Sequence, residues 1–148
     1  MTSARKSAPA KSKKRKNGFT LVELMVVIVI IGLLGTVVMI NVLPSLDQAN
    51  RTKAQADISQ LTNAAEQYRI DNFSYPATIE ALKTPPAGLA QPDRYRPGGY
   101  VRDIPADPWG NPYQVQVPGR NGAPFDIYSF GADGAMGGEG ENADIYAG

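Results

Sequence analysis

The chain has 148 residues, no cysteine and no histidine. No disulfide can brace it, and Ser-His-Asp, Cys-His and histidine-metal chemistry are all excluded. The formal net charge of +1 conceals an asymmetry: residues 1–18 hold seven of the 15 Lys and Arg (Arg5, Lys6, Lys11, Lys13, Lys14, Arg15, Lys16) and no acid, so the remainder carries a net side-chain charge of −6.

The basic head stands directly before an apolar run. Taken alone, KSKKRK could be a nucleic-acid tail, but its position favours membrane topology over nucleic acid. From Leu24 to Leu43 only Thr36 and Asn41 are markedly polar. That is about 20 residues, or roughly 30 Å of helix, enough to cross a bilayer. The positive-inside rule puts the N-terminus in the cytoplasm and the rest outside. No small-residue A-x-A pattern follows the run, so it reads as an anchor rather than a cleaved secretory signal.

Glu23 does not suit a plain anchor. A carboxylate costs roughly 2.5–3.5 kcal/mol at mid-bilayer and less near an interface, and is kept for a partner. The next cation after it is Arg51, so the expected partner lies outside the chain. A free amino group on a second copy would serve, if the chain were cut between Gly18 and Phe19.

Pro44 is expected to kink or locally open the helix. Beyond it Ala54, Ile58, Leu61, Ala65 and Tyr68 recur at spacings of four and three, which makes one apolar stripe of an amphipathic helix. Asn72 to Pro76 should end it, giving a helix of about 50 residues, near 75 Å by rise per residue. The second half of the helix should cover a small domain, and the first half needs lipid or copies of itself.

TIEALK (78–83) is a short helix candidate closed by Pro85 and Pro86, and 84–100 reads as a Pro- and Gly-rich loop. YQVQV (113–117) and FDIYSF (125–130) alternate as strands, with PGRNGAP reversing the chain between them. The fold class is α+β: a long N-terminal helix, membrane-spanning in its first half, packed on a small antiparallel sheet. In DPWGNPY (107–113), Trp109 reads as a core plug beside a tight turn in preference to a ligand platform.

The C-terminal segment sets Asp133, Glu139, Glu141 and Asp144 among glycines. Carboxylates and inward carbonyls are the oxygen ligands that Ca²⁺ takes, six to eight at a time. The spacing is not that of an EF-hand, and composition alone favours a flexible acidic loop over a calcium site.

Two stretches carry a resemblance. KNGFTLVELMVVIVIIGLLG resembles the N-terminus of type IV pilin-like proteins, with their class III signal peptides. The resemblance implies that a prepilin peptidase cuts after Gly18 and N-methylates Phe19, and that Glu23 serves subunit assembly. YPATIEAL, GGYVRDIPADPWGNPY, FDIYSFGADG and NADI look like the major pseudopilins of the type II secretion system. That likeness runs from Asn17 to about Ile145. It implies a calcium loop over 130–145, with ligands from the Phe130 carbonyl, Asp133, a carbonyl near Ala135, and Asp144. Ala143 stands where relatives with a shorter loop carry an acid, which leaves Glu141 or Glu139 to supply the missing oxygen.

The organisation expected is therefore a basic leader (1–18), a transmembrane and assembly helix (19–43) and a periplasmic domain (44–148). The implied function is a non-enzymatic structural subunit, anchored once in the bacterial inner membrane. It would polymerise into a periplasmic pseudopilus that drives export of folded proteins across the outer membrane. Implied partners are further copies, the prepilin peptidase, minor pseudopilins and the inner-membrane secretion platform. The alternative is a type IV pilin for adhesion or motility, but such pilins mostly carry a C-terminal disulfide loop and this chain has no cysteine. A membrane-anchored enzyme lacks a catalytic set or phosphate loop here, and a ligand-binding module lacks room for a pocket.

Overall fold

The computed structural model describes residues 4, 7–10 and 17–147. The seven cations of the expected leader lie outside the described residues. The chain divides into two compact units, residues 1–40 and 41–148, and helix α1 (Leu21–Asn72) contributes to both.

In the first unit α1 is open and, apart from Glu23 and Thr36, apolar. From Leu21 to Leu34 every Leu, Val, Ile and Met side chain is at least half exposed. The helix is long and apolar enough to cross a membrane, and none of its most apolar stretch is buried within the chain. The Thr36 hydroxyl donates to the Gly32 carbonyl at 2.9 Å, so even the polar residue in this stretch is satisfied by its own helix.

The second unit holds a core. Ala54, Ile58, Leu61, Ala65 and Tyr68 are all buried, as the spacing requires, and Ala64 joins them. They pack with Ile79, Leu82, Tyr95, Val101, Tyr113, Phe125, Ile127 and Ile145. Pro44 does not end the helix, which runs unbroken to Asn72. Its C-terminus closes as Phe73 enters the left-handed region (φ 60°) and donates its N–H to the Arg69 carbonyl at 2.8 Å. The candidate helix at 78–83 is one 3₁₀ turn, Ile79–Leu82. Tyr68, Tyr95 and Tyr100 then meet edge to face, with centroids 5.2–6.2 Å apart.

The sheet has three antiparallel strands in the order β1 (Gln114–Gln116), β2 (Asp126–Ser129) and β3 (Ile145–Tyr146). Both expected strands are present, trimmed at each end. Val115 pairs with Ile127, which fixes the register of β1 on β2. The third strand was not expected. Ser129 pairs with Ile145, so the chain returns to β2 after the acidic loop and closes it at both ends.

Candidate functional site

Two places in the chain carry the expected function, one at the start of α1 and one beyond β2. Residues 17–20 are exposed and lie outside any regular element, so the Gly18–Phe19 bond is open to a protease. Phe19 is 86% exposed, and a Cβ added at Gly18 would meet nothing within 4 Å. Among the described residues, no packing contact calls for glycine at position 18.

Glu23 has a partner within the chain. Its Oε2 accepts the Thr20 backbone N–H at 3.0 Å, and the Thr20 Oγ1 accepts the Glu23 N–H at 3.2 Å. This is a reciprocal capping box on the first turn of α1. The expectation that Glu23 could find a partner only on another chain is corrected: a search for cations passes over a backbone amide. The signal was present in Thr20-Leu21-Val22-Glu23, the T-x-x-E pattern ahead of an apolar run. The cap engages one of the carboxylate's several lone-pair sites, so a second donor can still be accepted.

The acidic loop leaves β2 at Phe130, which is half-buried. Asp133 Oδ1 accepts the Ala135 N–H at 3.1 Å, and both Asp144 oxygens accept the Gly137 N–H at 3.1 Å. The two aspartates thus hold one turn, residues 135–137. The Glu141 carbonyl accepts the Ala132 N–H at 2.9 Å, while the Glu139 and Glu141 side chains are exposed. Among the described residues no three carboxylates converge on one point. Of the expected ligands, Asp133 and Asp144 each bond to the turn that contains Ala135, and the Glu141 side chain is exposed away from them. From α1, Arg51 Nη1 donates to the Gly140 carbonyl at 2.8 Å and ties the far side of the loop to the helix.

Gly131 and Gly138 let the two halves of the loop cross. Both have positive φ, and a Cβ on Gly131 would stand 2.8 Å from the Ala143 carbonyl oxygen. A Cβ on Gly138 would stand 2.5 Å from that of Asn142. No side chain fits at either place.

Beneath the loop lies a polar cluster that the sequence reading did not single out. Asp107 is 4% exposed and Ser129 is fully buried. Asp107 Oδ1 accepts the N–H groups of Trp109 (3.1 Å) and Asn111 (2.7 Å), and Oδ2 accepts the Ser129 hydroxyl at 2.6 Å. Ser129 Oγ in turn accepts the Gly131 N–H at 3.1 Å, and Asn111 Nδ2 donates to the Gly131 carbonyl at 3.2 Å. Trp109 packs half-buried against the core, as expected, but the turn is organised by Asp107. An Asp opening a tight turn that accepts the N–H two residues on was the available signal.

The profile described as "Type II secretion system (T2SS), protein G" matches residues 41–148, and the one described as "Prokaryotic N-terminal methylation motif" matches residues 13–39. The chain belongs to the type II secretion system protein G family. It is a pseudopilin, a structural subunit and not an enzyme. It is similar to type II secretion system core protein G of Pseudomonas aeruginosa, 47% identical over 136 residues, covering 90% of this chain and 95% of that protein. The namesake in Vibrio cholerae is 46% identical over 138 residues, covering 91% and 93%. The crystal structure of the major pseudopilin from the type 2 secretion system of enterohaemorrhagic Escherichia coli matches with a TM-score of 0.62 and 37% identity, covering 72% of this chain and 92% of that one. The pilin-like fold is therefore shared.

Proposed function

We propose that this pseudopilin is the repeating subunit of a pseudopilus that drives folded proteins across the outer membrane. The observation that carries this is the exposure of the apolar side chains of α1 from Leu21 to Leu46, a stretch that the methylation motif (residues 13–39) largely covers. Lipid covers such a face before assembly and neighbouring copies cover it afterwards. The subunit is cut after Gly18, methylated on Phe19 by the prepilin peptidase, and held once in the inner membrane. Its head is cytoplasmic and its second unit periplasmic, a reading the basic leader supports. In the filament Glu23 approaches the Phe19 amine of a neighbour, which offsets the cost of taking both charges out of water. Minor pseudopilins and the inner-membrane platform complete the machine.

Calcium belongs to the same reading. The donors that would hold it are the Phe130 and Ala135 carbonyls and the carboxylates of Asp133 and Asp144, with Glu141 or Glu139 turning inward to join them. All are hard oxygens, which fits the ion. Bound calcium supplies the positive charge that residues 131–144 lack, since that stretch holds four carboxylates and no Lys or Arg. Electron microscopy of overexpressing cells, with mass spectrometry of the purified subunit, tests the proposal. Filaments built from a subunit that begins at methylated Phe19 support it. Absence of filaments when the whole secretion operon is expressed would overturn it.

A further inference from the structure

We propose that Asp107 and Asn111 are positioning residues for the calcium loop, fixing through Ser129 and Gly131 the turn that carries Asp133. The proposal rests on the calcium reading above. Gly131 is held by both of its peptide groups: its N–H by Ser129 Oγ, whose own O–H donates to Asp107 Oδ2, and its carbonyl by Asn111 Nδ2. Asn111 also lies against the other end of that turn, since a Cβ on Gly134 would stand 3.1 Å from its Oδ1. On its opposite side Gly131 abuts the backbone of residues 141–143, the stretch that delivers Asp144. A displacement of Gly131 therefore moves both aspartates that grip the 135–137 turn.

The choice of residue types fits this role. Three donors converge on Asp107, from Trp109, Asn111 and Ser129, and a carboxylate is an acceptor at every lone pair. An asparagine there would oppose its own N–H groups to the Ser129 proton. A carboxylate buried to 4% exposure is costly, and here every donor it engages belongs to the floor of the loop. Groups that orient the ligands of an ion change its affinity by roughly 10–100-fold when removed.

The test uses the full chain in detergent micelles, titrated calorimetrically with calcium chloride and melted in chelator. Trp109, the chain's one tryptophan, sits in the 107–111 turn and serves as a local emission reporter. Asn111→Ala and Ser129→Ala each cut one tie to Gly131, and Ile58→Val supplies a core destabilisation remote in chemistry from the loop. We expect the first two to weaken calcium binding by about tenfold or more, and Ile58→Val to lower the melting temperature with affinity unchanged. Asp107→Asn should weaken calcium binding in the same way; if it fails to fold, Asn111→Ala, altering a half-buried side chain, still decides the matter. Wild-type affinity in both Asn111→Ala and Ser129→Ala, with melting lowered in chelator, makes the network purely structural and overturns the proposal. A wild-type chain that binds no calcium overturns this proposal and the calcium reading together.

Discussion

Glu23 holds two assignments with one carboxylate. In the chain by itself it caps α1 through Thr20, and in the proposed filament it also meets a neighbour's amine. The two are separable by substitution. Thr20→Ala removes the hydroxyl half of the cap and should cost about 0.5–2 kcal/mol of helix stability. Hydrogen exchange in micelles should then quicken at the Glu23 and Leu24 amides, while membrane retention persists. Glu23→Ala removes cap and charge together. Membrane residence should be kept or improved, and filament yield should fall sharply; filaments of normal number and length would sink the pairing account. Gly18→Asp should leave a precursor with the intact-chain mass, because the open backbone there has room for a side chain and only the peptidase objects. The acid was legible in the sequence as an anomaly, and the capping box was legible too. The cap's donor is a backbone amide, which carries no charge to mark it.

Elements differ in how much of them periodicity can reveal. The stripe from Ala54 to Tyr68 was readable because four turns of a helix repeat the signal, and every position in it is buried. Ile58→Ala should therefore cost about 2–5 kcal/mol, read as a lower denaturant midpoint with little change in slope. The strand β3 spans two residues, Ile145 and Tyr146, too few to show an alternation. Its existence depends on β2 offering an open edge, which is a fact of tertiary structure. The Asp107 cluster was hidden for the same reason: its key partner, Ser129, is 22 residues away on β2. The acidic loop that follows β2 is held by crossing backbone at Gly131, where φ is +74° and the Ala143 carbonyl blocks any Cβ. Gly131→Ala should lose roughly 1–3 kcal/mol through that backbone strain, and should lower the melting temperature even in chelator.

The whole molecule is organised by where charge and aromatic surface are placed. Its basic head, uncharged span and acidic body suit a single membrane crossing, and its second unit buries Tyr68, Tyr95 and Tyr113 in a core without disulfides. Burial, first among the causes, pushes the phenols of Tyr68, Tyr95, Tyr100, Tyr113 and Tyr146 above their ordinary value. Tyr113 moves furthest: after burial come its 2.9 Å hydrogen bond to Asp57 Oδ2 and the charges of Asp57 and Asp107. Asp57 itself is paired with Lys53 at 2.6 Å, so the phenol faces a fixed anion. The sign of the linkage follows. Below the unfolded phenol value of about 10 both states keep the proton, and these groups give stability no slope with pH. Above it the unfolded chain releases protons that the folded chain retains, so the folded state binds more and stability falls as pH rises. The melting temperature of the full chain in micelles should thus be flat in these groups from about pH 8 to 9.5 and drop beyond about pH 10. Tyr113→Phe should lose about 1 kcal/mol at neutral pH through the hydrogen bond to Asp57, and should then decline less steeply in alkali than the parent. Ultraviolet titration of the phenolate, run on the folded chain, gives the independent check: a full complement of tyrosines ionising near pH 10 while the fold persists would refute their burial as the source of the slope.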